Sequence, residues 1–497
     1  AQTTPPHQPA AQSTPTAMSP PPPTVIKRRG TKVGLFLKHT ETESHPAIPS
    51  FTMVVGGRME HAEVQQRVLE SICQYERFRA AVIGDSFVEV EGAFSIADHV
   101  RPITRDDLQG EWPPTRERLR AFMERRFCLP MDPSKPMWEM IVAHGYRETD
   151  DRSSSEGGKT AVVARVHHVI VDGTAAGIML GALSDEAKTD SILDEATKAM
   201  IDEKVRAIKA SVTGGCNQLK VGLGITSVLC KYLHSWLFRE EPASPFRGST
   251  SGQRTLAWRA GIDCEASIEA ARKHGCTLND LWMSCLAHAM GSYMRSRHSK
   301  GLTSAAAGGV AAVSPSVTDG LELTAGLPVS LHPPILPPEV GNSSGNKFGF
   351  LLVRLPMEEC DLVARLRRVH DVLMDAKSSP EALVSHQLAR VTGCLPDALI
   401  SSAVSAAGNS STSTIMSNVR GPPKRLHING SEVESITGFL PTPPGVALGV
   451  GLGTYAGSIG VSVTCDRVLL GDGVADELLQ LMLQEHERYL QLREVNR

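Results

Sequence analysis

The segment from Ala161 to Gly177 constrains this chain more than any other. Val162, Val163, Val166, Val169 and Val171 form a β-branched run that predicts a buried strand reaching Val171. Asp172-Gly173 is a turn signal. From Thr174, an N-cap residue type, through Ile178-Met179-Leu180 the pattern predicts a helix. A buried strand feeding a turn and a helix belongs to a layered α/β fold. His167 and His168 stand just before that turn, where such folds place reactive groups.

The pattern is specific in combination. Of 17 histidines, His168 alone has an Asp four residues later. Requiring a His before it and a Gly after the Asp lowers the chance of a random match to well under about one in a hundred. An imidazole, with an intrinsic pKa near roughly 6.5, can take the proton of a hydroxyl as that hydroxyl attacks a thioester carbonyl. It can then return the proton to the departing sulfur. Asp172 can brace the turn by accepting backbone hydrogen bonds or pairing with an arginine. Gly173 permits a backbone conformation that a Cβ would penalise. Neighbouring strand residues point to opposite faces, so only one of the two histidines is expected in a pocket and the other reads as structural. The same alternation makes a metal site of His167, His168 and Asp172 awkward, and none is expected.

The rest of the chain builds around this segment. Residues 1–32 are read as a disordered Pro-rich tail, carrying Pro20-Pro21-Pro22-Pro23 and ending near Lys27-Arg28-Arg29. Residues 33–200 alternate strand runs (Phe51 to Val55, Phe87 to Val90, Met140 to Ala143) with helical ones (Ala62 to Tyr75, Thr115 to Arg126). The acidic, serine-rich stretch 148–158 reads as a hairpin loop. Residues 201–250 read as a helical linker. Within it Val221 to Phe238 is apolar on two sides, which suits a buried crossover helix or one that touches lipid. Residues 251–497 form a second α/β unit: strands near Arg254, Ala311, Pro328, Phe348, Thr414 and Val446 to Val463, and helices over Ala266 to His274, Asn279 to Arg297 and Val474 to Leu492.

Composition excludes some functions. A net charge of −3 gives no reason to expect nucleic acid. The ten cysteines form no C-x-x-C pair, so no zinc or thioredoxin-like site is encoded locally. Dispersed cysteines fit a reducing compartment. No apolar run reaches the roughly 20 residues that span a bilayer, since Lys231 and His234 interrupt the nearest. The sequence opens on Ala1, so an upstream signal or anchor stays an open alternative.

The His-His-x-x-x-Asp-Gly segment resembles the signature of a superfamily that includes chloramphenicol acetyltransferase, plant alcohol acyltransferases and peptide-synthetase condensation domains. It also includes the wax ester synthase/diacylglycerol acyltransferase family. Further segments resemble that last family in particular: Pro136-Met137-Trp138, Asn279-Asp280, Leu327 to Leu331 with Gly345-Asn346, and Ser417-Asn418-Val419-Arg420-Gly421-Pro422. They run in family order from about Val33 to the C-terminus. The plant-type Asp-Phe-Gly-Trp-Gly is absent.

The resemblance implies two chloramphenicol-acetyltransferase-like domains joined by a helical crossover, with a tunnel between them. It implies His168 as catalytic base, with His167, Asp172 and Gly173 supporting it. Asn279, Trp138, Pro136, Ser417 and Asn418 become candidate substrate contacts. Read from the residues alone, Asn279 is a helix N-cap, Trp138 a core aromatic and Pro136 a strand-edge breaker. The implied reaction uses acyl-CoA as cosubstrate, with no cofactor, and esterifies a fatty alcohol or diacylglycerol. The implied location is intracellular, peripheral on the endoplasmic reticulum membrane or a lipid droplet. Met137 for Leu, Thr174-Ala175-Ala176, Arg420 for Pro, and the loop with Pro333-Pro334 and Pro337-Pro338 depart from the family pattern. They bear on substrate length rather than reaction class. Two alternatives remain: transfer to a sterol, polyketide alcohol or amine, and a lipid- or CoA-binding homologue without catalysis.

Overall fold

The computed structural model describes residues 25–90, 92–149, 158–172, 180–189, 244–299, 322–331, 346, 348–393 and 412–492. Gly173, Thr174, the stripe from Val221 to Phe238, the strand expected near Ala311 and the two Pro-Pro pairs lie outside them.

The strands are β1 (Val25–Arg29), β2 (Ser50–Val55), β3 (Ala81–Ile83), β4 (Ser86–Val90), β5 (Val100–Pro102), β6 (Trp138–Tyr146), β7 (Lys159–Val166), β8 (Arg254–Asp263), β9 (Glu322–Ser330), β10 (Phe348–Pro356), β11 (Thr414–Arg420), β12 (His427–Ile428), β13 (Ser431–Phe439), β14 (Leu448–Tyr455) and β15 (Ser458–Asp466). The helices are α1 (Lys32–Thr40), α2 (His61–Glu70), α3 (Arg116–Arg126), α4 (Cys264–Arg272), α5 (Leu278–Ser299), α6 (Leu362–Ser378), α7 (Glu381–Thr392), α8 (Arg467–Leu470) and α9 (Val474–Gln491).

Two six-stranded sheets carry the α/β fold. The first runs β12-β13-β2-β7-β6-β5 and the second β10-β9-β11-β14-β15-β8. In the first, β7 sits between β2 and β6, antiparallel to both. All but the first of its eight residues are buried, which is why a nearly continuous apolar run encodes it. Its Arg165 is 1% exposed and reaches Glu139 on β6 at 2.5 Å, so the one charge among the seven buried residues is paired. In the second sheet, α5 is buried almost all round, by α9 and α6 among others, and carries Leu281, Trp282, Met283, Leu286 and Met290 into one core. Among the described residues no helix is long and apolar enough to cross a membrane.

The two halves are interwoven. β13 lies late in the chain yet pairs antiparallel with β2 of the first sheet, while also packing on β14 and β15 of the second. A third cluster, with α3 residues Leu119, Phe122 and Met123 against Leu256 of β8 and Phe439 of β13, fills the seam.

Several elements differ from expectation. Ordered chain begins before Val33: β1 pairs with β4, and Thr31 caps α1. All five β1 residues are exposed, so main-chain bonding holds them and no hydrophobic pattern announces them. The helix expected over Ala62 to Tyr75 ends at Glu70 and gives way to two single 3₁₀ turns. The run from Val446 to Val463 is two strands, folded at Ala456 (φ 47°) and Gly457 (φ 80°), the paired positive angles of a tight hairpin. β7 ends at Val166, not Val171, because its main-chain partners diverge. Val166 N–H donates to Pro49 O, His167 N–H to Met137 O and His168 N–H to Ala47 O.

Candidate active site

His167 and His168 therefore stand on a turn rather than on a strand, and the turn is closed by Ile170 N–H donating to His167 O at 2.9 Å. Strand alternation is not what separates them. His167 is fully buried. Its Nδ1 accepts the Val169 N–H at 3.0 Å, which leaves the proton on Nε2, and Nε2 donates to Glu41 Oε2 at 2.8 Å. Burial opposes the charge on Glu41, but the hydrogen bonds from His167 and from Ala47 N–H outweigh it and hold the carboxyl below its usual range.

His168 is wired in the opposite sense. Its Nδ1–H donates to Val171 O at 3.1 Å, so Nε2 carries the free lone pair. Among the described residues Nε2 has no partner, and the ring lines a cavity of about 230 Å³ between the two sheets. Burial pushes the imidazole down to about 4, against the Val171 bond and the charge of Asp172, which favour protonation. The ring is thus neutral throughout the physiological range.

The turn is gripped from several directions. Met137 O, in the Pro136-Met137-Trp138 segment, and Ala47 O hold the two histidine N–H groups. Arg77 Nη1 donates to Ile170 O at 2.8 Å. Asn346 reaches in from the second half, Nδ2 donating to His168 O at 2.6 Å. Asp172 is buried and its charge bears on both Arg77 and His168, consistent with a brace on the turn. Gly34 of α1 passes so close that a Cβ there would stand 2.9 Å from Asn346 Nδ2 and 3.1 Å from Val169 O.

The remaining expected residues separate into two groups. Ser417 and Asn418 on β11 line the cavity. Asn418 Nδ2 donates to Asn279 Oδ1 at 3.5 Å, which joins two segments 139 residues apart. Asn279 is not the N-cap of α5. Thr277 is: its Oγ1 accepts from Asp280 N–H while Asp280 Oδ2 accepts from Thr277 N–H, a reciprocal box that leaves the Asn279 side chain for other contacts. Trp138 and Pro136 do not line the cavity. Trp138 is 2% exposed, donates from Nε1 to Phe78 O and stacks on His99 at 4.7 Å. It is a core residue, as its size and its single donor suggest. Pro136 opens β6.

The cavity walls are chiefly apolar: Phe51, Phe348, Phe350, Ile415, Ile436 and Leu440 face it. Glu41 and His45 also border it, and nothing in their local sequence marks them. His45 is buried, held by Ser44 and Thr250, and pushed down by burial and by the charge of Arg254. Neither group of three closely spaced metal-ligating side chains among the described residues belongs to the cavity lining. The arrangement offers one neutral imidazole nitrogen on a chiefly apolar cavity that Ser417 and Asn418 also line. Such a site can take a proton from a hydroxyl in a place that excludes water.

Comparisons with known proteins agree with one another. Residues 37–282 match the wax ester synthase/diacylglycerol acyltransferase catalytic domain and residues 344–484 the WS/DGAT C-terminal domain. A Mycobacterium tuberculosis protein described as a diacylglycerol O-acyltransferase is 24% identical over 403 residues, 77% of this chain and 73% of its own. The Arabidopsis thaliana wax ester synthase/diacylglycerol acyltransferase 8 is 20% identical over 81% of this chain and 84% of its own. Among solved structures, the wax ester synthase/diacylglycerol acyltransferase of Marinobacter aquaeolei VT8 superposes with a TM-score of 0.58 at 17% identity, over 93% of this chain and 98% of that one. The first condensation domain of the calcium-dependent antibiotic synthetase gives 0.58 at 13% identity, over 95% and 98%.

Proposed function

The chain belongs to the wax ester synthase/diacylglycerol acyltransferase family, and on that premise we propose that it moves an acyl group from acyl-CoA to the hydroxyl of a long-chain fatty alcohol or a diacylglycerol, with His168 as general base. The observation that carries the reading is the wiring of His168, with Nδ1–H committed to Val171 O and the ring in the cavity.

The alcohol oxygen attacks the thioester carbonyl carbon while Nε2 takes its proton. The tetrahedral intermediate collapses, the C–S bond breaks, and the imidazolium returns the proton to the CoA sulfur. Ester and free CoA are the products. Burial penalises the imidazolium, and the Val171 carbonyl and the Asp172 charge lessen that penalty. Ser417 and Asn418 offer donors to the substrate carbonyl. The apolar walls suit an acyl chain and keep out the water that would hydrolyse the thioester. Because acceptor and product are insoluble in water, we place the reaction at the surface of the endoplasmic reticulum or a lipid droplet; flotation of the protein with liposomes tests that part.

Labelled acyl-CoA offered with hexadecanol, diacylglycerol, a sterol and a long-chain amine tests the substrate class. Ester formed from hexadecanol or diacylglycerol is the expected result. Product from the amine or sterol alone overturns the acceptor assignment, and acyl-CoA binding with no product overturns catalysis.

A further inference from the structure

We propose that Cys276, Asp280 and His370 form a binding site for a zinc-class divalent metal ion beside the start of α5. One ligand atom from each of the three lies within 4.8 Å of those of the other two. Cys276 and Asp280 come from the approach to α5 and its first turn, and His370 from α6, which packs on it. The two segments are 90 residues apart, so the tertiary fold assembles the group.

The strongest sign is an unsatisfied atom. Asp280 is fully buried, and its Oδ2 is occupied by Thr277 N–H at 2.7 Å and His370 Nδ1 at 2.7 Å. Its Oδ1 is buried with no hydrogen-bond partner among the described residues. A buried carboxylate oxygen left unpaired is costly. The capping box and the His370 contact explain one oxygen and leave the other unexplained. A cation bound between Oδ1, the Cys276 sulfur and the His370 ring supplies what is missing.

The donor chemistry selects the ion. Calcium and magnesium prefer all-oxygen shells, whereas thiolate, imidazole and carboxylate together suit zinc. Zinc–ligand distances of roughly 2.0–2.3 Å put tetrahedral ligands about 3.3–3.8 Å apart, and the ligand atoms of this group lie within 4.8 Å of one another. Three protein ligands leave a fourth position for water, and His370, 27% exposed at its side chain, marks the entry. The positive end of the helix dipole opposes a cation here, so the site needs its two anionic ligands.

A second group, Glu60, His61 and His144, provides an internal contrast. Its carboxylate is exposed and already engaged by Arg58 and by the capping box of α2. Nothing buried is left unpaired there, so we assign it no ion.

The site lies next to Asn279, which touches Asn418 at the cavity, so an ion would stiffen the first turn of α5 where it meets the candidate active site. The assignment does not depend on which acceptor the enzyme uses.

The experiment is a calorimetric titration of the chelator-treated full chain with Zn²⁺, alongside Co²⁺ absorbance. One equivalent bound and a thiolate-to-cobalt charge-transfer band are expected. Cys276→Ser and His370→Gln should each weaken zinc binding by about 100-fold or more, while His61→Ala leaves it unchanged. The wild-type cobalt spectrum stands even if a variant folds poorly. No thiolate-to-cobalt band in the wild type, or zinc binding that Cys276→Ser and His370→Gln leave unchanged, overturns the proposal.

Discussion

The first sheet and its flanking loops send titratable groups to the cavity: His168, Asp172, Glu41 and His45. The second sheet sends uncharged groups: Phe348, Phe350, Pro328, Gly451 and Gly453, with Ser417 and Asn418 as its polar side chains. The second half is not short of charge. It buries Arg365 and Glu485, 1% and 0% exposed, in an ion pair between α6 and α9, away from the cavity lining. Two sheets of equal strand number are thus put to different uses. One presents a proton acceptor, and the other shapes the space around it and keeps its own charges for its core.

The sharpest way to break this contrast is His168→Ala. Loss of a general base costs roughly 10²–10⁴-fold in kcat, and since the ring faces the cavity the melting curve should hardly move. Turnover that survives the substitution would remove the first half's claim to the chemistry. The pH profile reports the same group. The proposed mechanism needs a neutral imidazole, which persists above the depressed pKa of about 4, so kcat/KM should stay level from roughly pH 8 down to pH 5.5. An ordinary histidine would halve activity near about pH 6.5.

Glu485→Ala tests the other side. Removing one partner of a buried pair costs about 3–5 kcal/mol of stability, read as a lower urea midpoint. Turnover per folded molecule should be unchanged. If kcat falls while the midpoint holds, the second half takes part in the chemistry and the contrast fails.

Asn346→Ala tests the hydrogen bond by which the second half holds the His168 turn. Without the Nδ2 bond to His168 O the turn is held by fewer contacts, and a small displacement of the base should lower kcat about tenfold with little change in KM. An equal rise in KM would instead mark Asn346 as a substrate contact.

How much of this was legible in the sequence follows from the kind of force involved. β7 and α9 were readable because burial writes itself as apolar periodicity, and His168 because a rare constellation preceded a turn. The partners of the two histidines were not. Glu41 lies 126 residues from His167, and Ala47 and Pro49 contribute only main-chain groups, which leave no mark on residue identity. β13 was missed for a related reason. Its run Ser431 to Phe439 carries polar residues on both faces, and it becomes a strand because β2 offers it a ladder. Trp138 sits in the core and Asn279 beside the cavity. Each was legible as a residue type, but its position depended on strand end-points that periodicity does not fix.

The smallest expected effect concerns shape alone. Ile415 on β11 lines the cavity and is half-buried, so a larger ring there takes room from the substrate without touching the His168 turn. Ile415→Trp should lower kcat/KM for long acyl-CoA more than for short. Each methylene denied burial is worth about 0.8 kcal/mol, close to fourfold, so a series of chain lengths should show a break where the chain meets the new wall. The acid limb of the pH profile should stay where it is, because the base keeps its surroundings. A shift in that limb would mean that the second sheet tunes the base as well as housing the chain. A uniform loss across all lengths would mean that Ile415 bounds the reacting end of the cavity rather than its depth.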